Sequence, residues 1–220
     1  MDAFRVALFD LDGTLLDTLD DLADAVNFAL ETYGYPRRSR EEVRAFVGGG
    51  VANLMHRAAP QANDEEHAVL LKTFKAHYAQ HMTDKTRPYP GIMDMLMELK
   101  RRGIPCAVVS NKFNAAARKV CAECLGDFPA VVIGEGEGVA KKPDPAGCFL
   151  ALETLGVSAE GAVYVGDSDV DAKTARNAGL PCILVSWGFR PRSVLEETGE
   201  TRICDTVEEL TAWFDKGENA

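Results

Sequence analysis

Apolar and polar positions along this 220-residue chain fall into two textures. From residue 91 onward, short apolar runs alternate with longer stretches of helical period. The runs are "IPCAVVS", "PAVVIGE", "GAVYVGD" and "PCILVSW"; the helical stretches are "GIMDMLMELKRRG", "NAAARKVCAECLG", "DPAGCFLALETLG" and "DVDAKTARNAG". Brief β-rich runs separated by helices describe crossover units, and crossover units build a parallel sheet. "RVALFD", near the amino terminus, supplies the first strand. Residues 17–87 break the alternation: "TLDDLADAVNFALETYG", "SREEVRAFV", "GVANLMHRAA" and "DEEHAVLLKTFKAHYAQHM" repeat apolar residues every three or four positions and predict helix throughout. The pattern predicts an α/β core over 1–16 and 88–220 with a helical lobe, 17–87, inserted after the first strand. Pro88, Pro90 and Gly91 punctuate the return to the core.

Composition narrows the function classes. A hydrophobic fraction of 46% and a charged fraction of 26% are those of an ordinary globular chain, long enough to bury a sizeable core. The net charge of −10 argues against general attraction to nucleic acid or anionic lipid, so an anionic ligand needs a locally basic site. No apolar run approaches the roughly 20 residues of a membrane span, and "MDAFRVALFD" lacks a basic leader; the expectation is a cytoplasmic protein, a monomer or a homodimer. Six cysteines include one C-x-x-C, Cys121 and Cys124. With no second pair at zinc spacing, and with the motif late in a helical pattern, both are read as structural; Cys106 and Cys182, inside apolar runs, are read as core.

Ligands of a parallel sheet sit beyond the carboxyl ends of its strands, and there the charge of this chain collects. Asp10 and Asp12 follow the first run, Ser110, Asn111 and Lys112 the second, and Asp167, Ser168 and Asp171 a later one; Lys141 and Lys142 precede Pro143. Neighbouring carboxylates cannot all ionise without a compensating cation, and a hard divalent ion such as Mg2+ supplies it. Lysine and hydroxyl groups then suit phosphate oxygens, so the set describes phosphoryl transfer. One carboxylate serves as nucleophile, and a second two residues on serves as acid, then base. Asp17, Asp20, Asp21 and Asp169 are read instead as helix-cap or turn residues. "VGGGV" places Gly48, Gly49 and Gly50 before a helix, a shape that lets amides approach an anion or simply turns the chain. Arg44, one turn earlier, is either a bidentate partner for a substrate carboxylate or an exposed helix arginine.

Four of these segments together resemble the haloacid dehalogenase superfamily. "DLDGTLLDT" matches its D-x-D-G-T motif, "VVSNK" the second motif, "KKPDP" the lysine-bearing third and "GDSDVDAKTARNAG" the acidic fourth. "VRAFVGGGVANLMHRA" and "VVIGEGEGVAKKPDP" are similar to the phosphoglycolate phosphatase branch. The resemblance implies a doubly wound, Rossmann-like parallel-sheet core carrying a helical cap. It implies Asp10 as nucleophile and Asp12 as acid and base. Mg2+ would sit on Asp10, the Asp12 carbonyl and Asp167, with Asp171 in support. Ser110 and Asn111 would bind the phosphoryl group, and Lys142 would pair with it while Lys141 stays solvated. Related phosphatases often carry asparagine where this chain has Gly49, and the small loop of Gly48, Gly49 and Gly50 with the nearby Arg44 suggests a compact anionic substrate such as 2-phosphoglycolate or a similar small phosphorylated metabolite. An aspartate at position 12 favours phosphate chemistry over dehalogenation.

Other readings are a sugar-phosphate mutase or pyrophosphatase of the same superfamily, a phosphate-binding protein without turnover, and a signalling receiver domain. A binding protein has no need of both Asp10 and Asp12. A receiver would carry its aspartate after a middle strand and would lack the helical insertion. No P-loop signature is present.

Overall fold

The computed structural model describes residues 4–136 and 138–215. Among them, six strands form one parallel sheet in the order β5-β4-β1-β6-β7-β8. These are β1 (Val6–Phe9), β4 (Cys106–Phe113), β5 (Val131–Glu135), β6 (Ala162–Gly166), β7 (Cys182–Val185) and β8 (Ile203–Cys204). Register pairs Ala7 with Cys106 on one side of β1 and with Val163 on the other, so the first strand is central. Alternate residues of β1 enter two different cores: Ala7 and Phe9 face one apolar layer, Val6 and Leu8 the other. Burial on both faces explains why these runs read as continuously apolar rather than alternating.

The crossover helices are α5 (Ile92–Arg101), α6 (Asn114–Leu125), α7 (Ala146–Leu155) and α8 (Asp169–Ala178), with α9 (Arg192–Glu196) and α10 (Val207–Asp215) after β7. The first four were expected; β8, α9 and α10 lie past the last run that carries a clear period. The second strand is longer than expected, because β4 continues through Ser110, Asn111 and Lys112 to Phe113 with a register irregularity after Val109.

The chain leaves and re-enters the core through a two-stranded antiparallel ribbon, β2 (Leu16–Asp17) against β3 (Arg87–Pro88). Between its strands lie α1 (Leu19–Thr32), α2 (Arg40–Phe46), α3 (Val51–Ala58) and α4 (Asp64–His81). Sequence sets two of the starts: Ser39 with Glu42, and Asn63 with Glu66, close capping boxes at α2 and α4. Leu54, Met55, Leu70, Phe74 and Tyr78 of these helices join the same apolar cluster as Phe9, Leu11 and Leu15, so the cap packs directly on the core.

Asp21 departs from its expected part as a cap or turn residue. It is buried in the first turn of α1, and its carboxylate accepts hydrogen bonds from Lys85 N, Thr86 N and Thr86 Oγ1, the last two at 2.8 Å. A burial of this kind is tolerated because the donors replace lost water. The carboxylate therefore ties α1 to the chain entering β3. Among the described residues no helix is long and apolar enough to cross a membrane.

Candidate active site

The order reversal of the sheet lies at β1, whose neighbours β4 and β6 run off to either side, and the carboxyl end of that strand opens a crevice. A small cavity of about 50 Å3 occupies it. Its core wall is Asp10, Asp12, Ser110, Asn111, Lys112, Lys142 and Asp167; its cap wall includes Leu22, Gly48, Gly50 and Leu54.

Asp10, Asp167 and Asp171 bring carboxylate oxygens within 4.8 Å of one another, all buried. Burial pushes the Asp10 carboxyl up to about 6, with Lys142 pulling the other way and Asp171 and Asp12 adding to the rise. Burial, then Asp171 and Asp10, push Asp167 up to about 8. Buried acids facing each other disfavour one another's ionised forms, and here burial and mutual repulsion outweigh the pull of Lys142.

Lys142 holds two of the three together. Its Nζ stands 2.8 Å from Asp10 Oδ1 and 2.8 Å from Asp171 Oδ1, with Tyr164 OH at 3.1 Å. Among the described residues, Lys142 is the one cation paired with Asp10 Oδ1, which has no other hydrogen-bonding partner. Burial works to discharge Lys142, but Asp10 and Asp171 override it and hold the ammonium above its ordinary range. Asp171 is committed on both oxygens: Oδ2 accepts from Ser168 Oγ at 2.6 Å in the capping box of α8, while Oδ1 receives Lys142. Asp167 accepts from Phe189 N at 2.6 Å and from Thr14 Oγ1 at 3.3 Å.

Two glycines make room for Asp167. A Cβ on Gly13 would lie 2.5 Å from Asp167 Oδ2, and one on Gly188 would lie 2.3 Å from Asp167 Cβ. Gly13 also takes φ +88°, a conformation that favours glycine.

Asn111 lines the cavity and is also bonded through its side-chain amide. Its Nδ2 donates to Gly48 O at 3.0 Å and Lys142 O at 3.2 Å, and its Oδ1 accepts from Lys142 N at 2.8 Å. The side chain thus links a cap loop to the lysine segment. Ser110 accepts from Lys112 N at 3.3 Å and keeps its hydroxyl proton for another acceptor.

Arg44 and Gly49 lie outside the cavity lining. The Arg44 guanidinium donates to Phe189 O at 2.9 Å and to Gly188 O, which commits it to the loop after β7. Gly49 abuts Asn53, whereas Gly48 lies against Arg190 and Gly50 against Glu135 and Lys141. Lys141 is ion-paired rather than free in solvent: its Nζ stands 2.8 Å from Glu135 Oε1, with the side chain still partly exposed.

Four residues that line or adjoin the candidate site had no part assigned to them by the sequence: Lys112 and Arg190 line the cavity, while Gly188 packs on Asp167 and Tyr78 on Lys112. Lys112 was visible at its strand end but had no assigned part. Gly188 and Arg190 follow β7 in "SWGFRP", the same strand-end position that flagged the others. Tyr78 sits mid-helix in α4 and carries no local signal. Cys121 is buried and not in a disulfide, with burial pushing its thiol up to about 12, and Cys106 and Cys182 are buried in the core as expected.

Comparison with known proteins places the chain in a family. Residues 7–185 match the family model of haloacid dehalogenase-like hydrolases. A curated phosphoglycolate phosphatase of Caulobacter vibrioides is 38% identical over 204 residues, 90% of this chain and 84% of that one. A solved structure from Lactobacillus delbrueckii subsp. bulgaricus, a candidate phosphoglycolate phosphatase, superposes with a TM-score of 0.91 at 34% identity, covering 96% of this chain and 98% of its own. CbbY of Rhodobacter sphaeroides, solved with xylulose-1,5-bisphosphate, aligns with a TM-score of 0.74 at 27% identity over 92% and 94% of the two chains. With its fold, its four acidic and basic strand ends and its near full-length similarity in agreement, this chain belongs to the haloacid dehalogenase-like hydrolase family.

Proposed function

We propose that this protein is a Mg2+-dependent phosphatase that works through an aspartyl phosphate and prefers a compact anionic phosphomonoester, with 2-phosphoglycolate the leading candidate. The observation that carries this reading is the convergence of Asp10, Asp12, Ser110 and Lys142 on one small cavity under the cap.

The residues fit a hard divalent cation. Their donors are oxygens only, three carboxylates are clustered, and Gly13 and Gly188 leave the space beside Asp167 that a side chain would fill. Asp10, Asp167 and the Asp12 carbonyl would hold the ion, with Asp171 steadying Lys142. When bound, the ion offsets negative charge on the phosphoryl oxygens and on the carboxylates.

In the first half-reaction, an Asp10 carboxylate oxygen attacks phosphorus. The bond from phosphorus to the leaving oxygen breaks, and Asp12 gives that oxygen a proton. Lys142 and the Ser110 hydroxyl donate to the phosphoryl oxygens as charge builds. In the second half-reaction, Asp12 takes a proton from water, the water oxygen attacks phosphorus, and the acyl phosphate bond breaks. Inorganic phosphate leaves and the Asp10 carboxylate is restored.

Substrate size is limited by the small cavity. Arg190 lines it and, among the described residues, has no ion-pair contact; its guanidinium donates only to the backbone carbonyls of Arg44 and Val47. That positive charge suits a second anionic group on the substrate better than Arg44 does. The CbbY complex gives a second reading, in which a sugar bisphosphate is hydrolysed.

The test is release of inorganic phosphate from a panel of phosphomonoesters. Phosphoglycolate should rank among the best by kcat/KM, and β-glucose 1-phosphate should not be converted to the 6-phosphate. Isomerisation without phosphate release would replace the phosphatase by a mutase, and a preference for pentulose bisphosphates would select the second reading.

A further inference from the structure

We infer that Lys112 and the cap residue Tyr78 act as positioning residues for the Asp12 carboxylate, so that the acid–base group is held in place only when helix α4 is docked on the core. This inference rests on the proposed acid–base role of Asp12.

Lys112 Nζ donates to Asp12 Oδ1 at 2.9 Å, reaches Oδ2 at 3.3 Å, and donates to Tyr78 OH at 2.6 Å. The lysine side chain is 3% exposed. Its ammonium is therefore spent on two internal partners and is not offered to a ligand. A buried charge with its hydrogen bonds satisfied fixes the geometry of its partner, because any rotation leaves a charge desolvated and alone.

Tyr78 brings the cap into this arrangement. It lies in α4, while Lys112 lies in β4 and Asp12 in the loop after β1, so the three residues join three separate parts of the chain. The Tyr78 ring is itself fixed: Phe74 stacks on it at 5.4 Å between centroids, and Lys112 Nζ lies 4.7 Å from its centre. Both aromatic residues are almost fully buried. The Tyr78 hydroxyl thus has one position relative to α4, and moving α4 takes it away from Lys112. Lys112 would then keep Asp12 as its sole anionic partner and follow or release it according to where the freed ammonium finds solvent.

A positioning role predicts a particular kinetic pattern. Proton donation matters most for a poor leaving group and little for an activated aryl oxygen, so misplacing Asp12 costs rate selectively. Lys112→Met should lower kcat on an uncharged alkyl phosphate such as ethyl phosphate by about tenfold to a hundredfold, with a loss under about threefold on p-nitrophenyl phosphate and KM unchanged on both. Tyr78→Phe, which preserves the ring packing, should show the same selectivity at about threefold to tenfold. On an Asp12→Ala background neither substitution should lower kcat further, since groups that act as one unit are non-additive.

An equal loss on both substrates would overturn the proposal, as would full additivity with Asp12→Ala. A rise in KM for substrates carrying a second anion, with kcat unchanged, would make Lys112 a substrate contact and overturn it as well. If Lys112→Met does not fold, Tyr78→Phe alone decides. If Asp12→Ala itself shows no dependence on leaving group, the acid–base reading fails, which is distinguishable from failure of Lys112 and Tyr78 on an intact Asp12 effect.

Discussion

Gly188 and Asp167 are packed so closely that a methyl group on the glycine would lie 2.3 Å from the aspartate Cβ. The same methyl would meet Gly13 O at 2.4 Å. Neither neighbour is the loose end of a flexible side chain, so the space cannot be opened without moving the carboxylate or the backbone beside it.

Gly188→Ala should therefore reduce activity by about a hundredfold, the penalty of a displacement on the order of 1 Å at a reacting centre, and should raise the Mg2+ concentration needed for half-maximal rate. A magnesium titration of steady-state rate checks this; an unchanged half-saturation point would separate Gly188 from the metal site.

If Asp10 is the nucleophile as proposed, Asp10→Asn should cut kcat by about a thousandfold or more while the protein still melts cooperatively, because the amide is nearly isosteric. Phosphate release and a thermal melt on the same preparation check it. Turnover close to that of the parent protein would move the nucleophile elsewhere.

Metal-free protein should lose stability as pH rises. Asp10 and Asp167 bind protons more tightly in the folded chain, up to about 6 and about 8, than at their ordinary value of 3.8. Between those limits the native state carries more protons than the unfolded state, so its stability falls with increasing pH. In chelator, Tm should drop from pH 5 to pH 8 by more in the parent protein than in Asp167→Asn. Added Mg2+ should restore more at pH 8 than at pH 5, since it binds the ionised form. Parallel pH profiles for the two proteins would refute this account.

Asp21→Ala should destabilise the protein by about 1–3 kcal/mol, because it leaves the buried Thr86 N–H and hydroxyl without their acceptor. Denaturant unfolding measures the loss. A change of a few tenths of a kcal/mol would mean that water replaces the carboxylate.

The sequence by itself determined the parts whose cause is local. Apolar runs and helical periods set the crossover core and the inserted helices, because each pattern matches one secondary-structure period. Strand-end residues such as Asp10, Asp12, Asp167 and Lys142 could be named because a parallel sheet delivers all its strand ends to one rim. Capping boxes at Ser39, Asn63 and Ser168 fixed helix starts from four residues each. Tertiary structure alone decided which charges pair. Asp21 looked like any first-turn aspartate until Thr86, 65 residues away, came to its carboxylate. Arg44 and Arg190 are equally basic on paper, and packing turned the first toward the Gly188 and Phe189 carbonyls while leaving the second on the cavity wall. Lys112 and Tyr78 meet across 34 residues because α4 docks over β4. Period and capping depend on neighbours in the chain, whereas pairing of buried charges depends on which groups share a desolvated space, and only the assembled fold defines that space.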